Sequence, residues 1–203
     1  SAVVLKGLTY SPTGAIVAAP TTSLPETPGG ARNWDYRYCW LRDAFFVVRA
    51  LNSLSEVGTM EDYLRWLGNV VTDAGSGHIQ PLYGIGLERD LPEATVPTLA
   101  GYRGMGPVRV GNQAAEHFQH DVYGNIILGA AQAFHDHRLL HRAGLSEFTR
   151  LELVGEQAVR VYGQPDGGMP QQQSNSYCLG SQYWATNKHK QDYFPRYAIL
   201  LDM

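Results

Sequence analysis

Early in the chain, Asn33-Trp34-Asp35-Tyr36-Arg37-Tyr38-Cys39-Trp40-Leu41-Arg42-Asp43 forms the densest aromatic and charged segment of the sequence. Its end is the chemically promising part, because Arg42 and Asp43 stand where an aromatic loop enters an apolar helical run. Near a helix start a carboxylate gains from the macrodipole and accepts several hydrogen bonds, while an arginine offers a rigid fork of donors. Such a pair can hold two vicinal hydroxyls, with Trp34, Tyr36 and Trp40 presenting flat apolar faces to a pyranose ring. The competing reading is an ion pair that caps the helix.

Other groupings carry less chemistry. His135, His137 and His141 make a His-x-His-x3-His pattern on a predicted helix, where only His137 and His141 share a face and no Glu completes HExxH, so a solvated helix face is expected rather than a metal site. Gly101 to Asn112 is Gly-rich but matches neither dinucleotide nor P-loop spacing, and is read as a tight hairpin whose glycines supply positive φ. Its Arg103, Arg109 and Asn112 can also line a polar pocket. No GxSxG elbow supports a hydrolytic serine.

The elements that must position these residues are mostly helical. Ser1 to Leu8 reads as a helix end, stopped by Ser11-Pro12-Thr13-Gly14, and Ala15 to Ala19 as a short strand before a Pro/Gly-punctuated loop over 20–39. Four helices follow. Leu41 to Leu54 carries the stripe Ala44, Val47, Val48, Leu51; a second opens at Thr59, with Asp62 three residues on as in a capping box, and carries Met60, Tyr63, Leu64, Leu67 and Val71. The third runs from Asp121 to Arg142 and the fourth from Ser146 to Tyr162, with Leu151, Val154, Ala158 and Val161 spaced for burial. Residues 75–118 form a long loop of the kind that usually has a function.

Composition narrows the functional classes. With 16 Lys+Arg against 19 Asp+Glu and no basic block, the electrostatic footprint of nucleic-acid binding is missing. No apolar run reaches the roughly 18 to 20 residues of a membrane span, no export signal is seen, and two cysteines, Cys39 and Cys178, build neither a disulfide framework nor a zinc motif. A reduced, cytoplasmic protein is expected. From Pro170 the periodicity gives way to Gln171-Gln172-Gln173-Ser174-Asn175-Ser176, so residues 170–203 are read as a divergent, irregular tail that belongs to no assignable domain.

Several of these segments together resemble glycoside hydrolase family 15, the family of glucoamylases, glucodextranases and bacterial-type trehalases. They are Thr21-Thr22-Ser23-Leu24-Pro25-Glu26, Arg32 to Ala44, Gly101 to Asn112 and Gln119-His120-Asp121-Val122-Tyr123-Gly124, in order within residues 1–169. The resemblance implies a partial (α/α)6 toroid and inverting hydrolysis of a terminal α-linked glucose by two carboxyl groups about 6.5 to 9.5 Å apart, with no cofactor. Arg42 and Asp43 match the pair that holds the terminal glucose, Trp40 the aromatic residue before it, and Tyr36 a tyrosine near the developing oxocarbenium ion. Trp34, Asp35, Tyr83, Arg103, Arg109 and Asp121 lie in matching loops without individual contacts assigned.

One departure bears on activity. In bacterial-type members the segment matching Pro165-Asp166-Gly167-Gly168-Met169 continues into Trp-Glu, the Glu being the general acid, whereas here Pro170-Gln171 follows. An amide donates no carboxylic proton, and that proton transfer is typically worth about 10²- to 10⁴-fold. The general base of the family falls beyond the last residue, and no glutamate follows Glu156. The expectation is a truncated chain with weak or no turnover of a small glucoside or oligosaccharide. It would retain half of the glucose pocket, and its open half-toroid face would allow self-association. A non-catalytic glucoside-binding module, or a half-domain completed by a partner chain, is the alternative. A shifted reading frame would produce the break at Pro170; a genuine alternative terminus is the other explanation.

Overall fold

The computed structural model describes residues 1–75, 77–161 and 163–164. The expected irregular tail over 170–203, including Gln171 and Cys178, lies outside them. Helices dominate: α1 (Ala2–Gly7), α2 (Leu41–Ser53), α3 (Gly58–Ala74), α4 (Asp121–His135) and α5 (Leu145–Val161). Three short antiparallel ladders punctuate them, formed by β1 (Thr9–Tyr10) with β2 (Ala15–Ile16), β3 (Cys39–Trp40) with β4 (Leu82–Tyr83), and β5 (Ala94–Thr95) with β6 (Arg109–Val110). A 3-10 turn over Gln113–Glu116 precedes α4. No ladder among the described residues closes into a larger sheet, and the helix-on-helix arrangement fits part of a helical toroid.

Periodicity explains the packing. On α2 the apolar positions bury Leu41, Ala44, Phe45, Val48 and Leu51, and on α3 they bury Met60, Tyr63, Trp66, Leu67, Val70 and Val71. Helix α4 lies at the centre, against α2, α3 and α5, with Val122, Tyr123 and Ile126 buried. Trp66 joins the helical core to the loops, stacking on Tyr63 at 5.9 Å and meeting Tyr83 edge-on at 6.1 Å. Cys39 is fully buried beside this core, and burial pushes its thiol up to about 12, so it stays protonated and unreactive.

Three expectations need correction. Helix α3 opens at Gly58 rather than Thr59, and Asp62 caps nothing: the Thr59 N–H donates to Glu56 Oε2 at 3.0 Å, while Asp62 pairs with Arg65. Helix α4 ends at His135, not Arg142, because Asp136 turns extended and its carboxylate accepts from the Arg138 N–H (3.0 Å) and guanidinium. Consequently His137 and His141 lie beyond the helix and share no helical face. The strand expected over 15–19 is ladder only at Ala15–Ile16, but beyond it Ala18 and Ala19 donate to the carbonyls of Tyr38 and Tyr36, which ties the aromatic loop to the chain's beginning.

The 75–118 segment is more structured than its composition implies. Its β5–β6 hairpin docks on the aromatic loop through Asn33 Nδ2 to the Met105 and Pro107 carbonyls, Asn112 Nδ2 to the Asp35 carbonyl, and the Gly111 N–H to the Tyr38 hydroxyl. Gly111 must be glycine: its φ is +81° and a Cβ there would lie 1.9 Å from the Pro92 carbonyl oxygen.

Candidate functional site

The aromatic loop meets α2 where Trp40, extended in backbone and paired to Leu82, occupies the N-cap position, so Arg42 and Asp43 emerge in the first turn. Arg42 does not chiefly pair with its neighbour. Its Nη1 donates to Asp121 Oδ2 at 3.0 Å and to Gln119 Oε1 at 3.3 Å, whereas Nε stands 3.7 Å from Asp43. Asp121 begins α4, is 9% exposed, and accepts a further bond from Asn125. The side chain of Arg42 is thus fixed from the far helix, with only 18% of its surface exposed.

Asp43 is left comparatively free, with 44% of its side chain open to water. Its carboxyl titrates above the usual carboxylate range because burial disfavours the ionised form and the Asp121 charge adds to this, which outweighs Arg42 and the helix-terminal N–H.

An aromatic wall continues from this corner. Tyr36 lies 5.9 Å and Tyr38 6.5 Å from Trp40, ring centre to ring centre. The Tyr36 hydroxyl lies 3.5 Å from Glu26 Oε1, and its pKa is raised by burial and then by the Glu26 charge, with Asp43 contributing. The same Glu26 oxygen accepts from Trp34 Nε1 at 3.2 Å, and Arg109 covers the Trp34 ring with its guanidinium carbon 4.9 Å from the ring centre. Trp34, Tyr36, Trp40 and Arg109 are thus joined through ring contacts and Glu26, and Arg42, Asp43 and Asp121 through ion pairs, with Trp40 two residues before Arg42 along the chain.

The remaining candidates sit differently. The carboxylate of Asp35 is 0% exposed and held by Arg37 through two bonds of 2.9 and 2.8 Å, which places it behind the wall. Tyr83 is in the core, its hydroxyl accepting from the Gln80 N–H. Arg103 rests on the Tyr102 ring at the exposed hairpin tip. Glu26, Gln119 and Glu93, each bonded to a wall or corner residue, were not among the candidates. Glu26 and Gln119 fall inside the quoted motifs, but nothing local reveals their partners. Among the described residues, no three His, Cys, Asp or Glu side chains gather as a metal site, and no helix is long and apolar enough to cross a membrane.

No solved structure matches the chain. It is 41% identical over 177 residues to a trehalase of Mycolicibacterium smegmatis and 42% identical over 177 residues to one of Mycobacterium tuberculosis, in each case 83% of this chain and 25% of the relative. A trehalase of Thermoplasma volcanium is 44% identical over 127 residues, 63% of this chain and 20% of that protein. The chain thus spans about a quarter of the length of the curated relatives it matches. The profile of Glycosyl hydrolases family 15 matches residues 1–169, which hold every described residue of the aromatic wall and the Arg42 corner, and the chain belongs to that family.

Proposed function

We propose that this chain carries the terminal-glucose pocket of an inverting glycoside hydrolase acting on an α-linked glucoside of the trehalose type. The observation that carries the reading is the Arg42 corner. A guanidinium immobilised by Asp121 and Gln119 beside a half-exposed carboxylate is prepaid in side-chain entropy, so sugar hydroxyls meet fixed donors and acceptors. Tyr36 supplies the apolar side of the pocket, backed by Trp40, which is 7% exposed and packed against Leu82 and Ala115, and the family relationship with proteins named trehalase favours a disaccharide over a polymer.

In this reading Arg42 donates to, and Asp43 accepts from, adjacent hydroxyls of the glucose, which orients its anomeric carbon. The Tyr36 hydroxyl, held by Glu26, faces the charge that builds there. The position matching the general acid carries Gln171, an amide that has no carboxylic proton to give. Binding with little or no turnover is therefore the expected behaviour of this chain.

Calorimetry of the 203-residue protein with glucose, maltose and trehalose, against Arg42→Ala and Asp43→Ala, tests the pocket. Each hydrogen bond to a charged group is worth about 1.5 to 3 kcal/mol, so either variant should weaken glucose binding about tenfold or more. Unchanged affinity in Asp43→Ala would remove the pocket. Release of β-glucose from trehalose, followed by proton NMR, at the rate of a full-length trehalase would remove the expectation of weak turnover.

A further inference from the structure

Trp34 is held more firmly than a loop tryptophan requires. Its indole N–H donates to Glu26 Oε1 at 3.2 Å, and Glu26 is anchored in turn by Arg32 at 3.0 Å. Its face is covered by Arg109, whose Nη1 pairs with Glu93 at 2.8 Å. The backbone on both sides of the Arg109 Cα is pinned as well: its N–H donates to Ser23 Oγ at 2.7 Å, and its carbonyl accepts from Thr22 Oγ1 at 2.7 Å. Arg109 Nε is buried with no hydrogen-bond partner among the described residues. The guanidinium as a whole meets the indole face, an attraction between cation and ring quadrupole.

The clamp acts on a ring next to, but not inside, the Arg42 corner. The contact path runs from Trp40 to Tyr36, then through the shared Glu26 oxygen to Trp34. A sugar bound by Arg42 and Asp43 beside Tyr36 therefore has Trp34 as the aromatic face beyond that ring. We infer that Trp34 is the platform for the second ring of a disaccharide, and that Glu26 and Arg109 are positioning residues that set its orientation and hence the preference for disaccharide over free glucose. The inference rests on the glucose pocket proposed above.

The test uses the 203-residue protein labelled with 15N, with the Trp34 indole N–H signal assigned through Trp34→Phe among the four tryptophans. Trehalose should shift this signal, and glucose should leave it in place. Arg109→Gln should move it without any sugar present and weaken trehalose roughly three- to tenfold, the range expected of one partly desolvated cation–ring contact, with glucose affinity unchanged. Arg109→Lys, which keeps the cation, should recover most of the loss. Should Arg109→Gln lose its fold by circular dichroism, Glu93→Gln makes the same comparison, since it unpins the guanidinium and leaves Trp34 and its acceptor intact.

Equal losses for glucose and trehalose, or no loss for either, would overturn the assignment of Trp34, as would a Trp34 signal that answers glucose as strongly as trehalose. A wild-type chain that binds neither sugar overturns the glucose pocket and this inference together. One that binds glucose normally while Trp34 ignores trehalose overturns this inference alone.

Discussion

Arg42 and Asp43 are adjacent in sequence and opposite in energetic position. Arg42 leaves a nearly buried Asp121 behind when it is removed, with Asn125 the remaining hydrogen-bond partner of the carboxylate among the described residues, so Arg42→Ala should destabilise the fold by about 2 kcal/mol as well as weaken binding in the proposed glucose pocket. Asp43 should behave in reverse. Its folded-state pKa is raised, so above the ordinary carboxylate value of about 4 the unfolded chain ionises more readily than the native one, and ionised Asp43 opposes folding as pH rises. Asp43→Asn should therefore match or exceed wild type in stability at pH 7, by no more than a few tenths of a kcal/mol because water reaches the carboxylate, and the difference should vanish below about pH 4. Urea titrations at pH 7 and pH 3.5, run beside glucose binding, check both. If Asp43→Asn is clearly less stable at neutral pH, the residue is a helix-capping partner and not a group held ready for ligand.

At the scale of elements, two loop features should control stability. Asp136 stops α4 and its carboxyl is held below the usual range, chiefly by the Arg138 guanidinium with help from Gln132. The stabilisation is complete above the ordinary carboxylate value and is lost as pH falls through the depressed one, so Arg138→Met should lower the melting temperature at pH 7 and flatten the acid limb of the stability profile below about pH 4. An unchanged acid limb would count against this stop. Gly111→Ala should cost about 1 to 3 kcal/mol, since it forces positive φ on alanine and drives a methyl into the Pro92 carbonyl. Denaturant melting of that variant gives the cost directly. These same features mark where the sequence was legible. The stripes of α2, α3 and α5 are periodic and were readable, as was the hairpin around Gly101 to Gly111. The end of α4 was not, because Leu139 and Leu140 continue an apolar pattern while the stop comes from one aspartate folding back on its own turn. Arg42 and Asp43 stood out locally, but the partner that fixes Arg42 lies 79 residues away, and the Glu26, Trp34 and Arg109 cluster is equally non-local.

For the molecule as a whole, the balance between core and surface sets the solution behaviour. Among the described residues, Leu140 and Leu145 are 82% and 81% exposed, and Leu54, Leu128, Phe46 and Leu153 are also exposed, spread over or beside α2, α4 and α5. Large aliphatic groups at this exposure, on helices whose opposite sides already fill the core, retain a hydrophobic incentive to associate of about 25 cal/mol per Å² that is removed from water. The formal charge of -3 is too small to oppose close approach by like copies at physiological salt, where the screening length is about 8 Å. Sedimentation velocity should therefore show a concentration-dependent, reversible increase in mass. Replacing Leu128 and Leu153 with Glu should shift the equilibrium towards the monomer and leave the circular dichroism spectrum unchanged, because both side chains face water and neither belongs to the buried core. A strictly monomeric wild type at high concentration would show that these residues are covered within the chain itself.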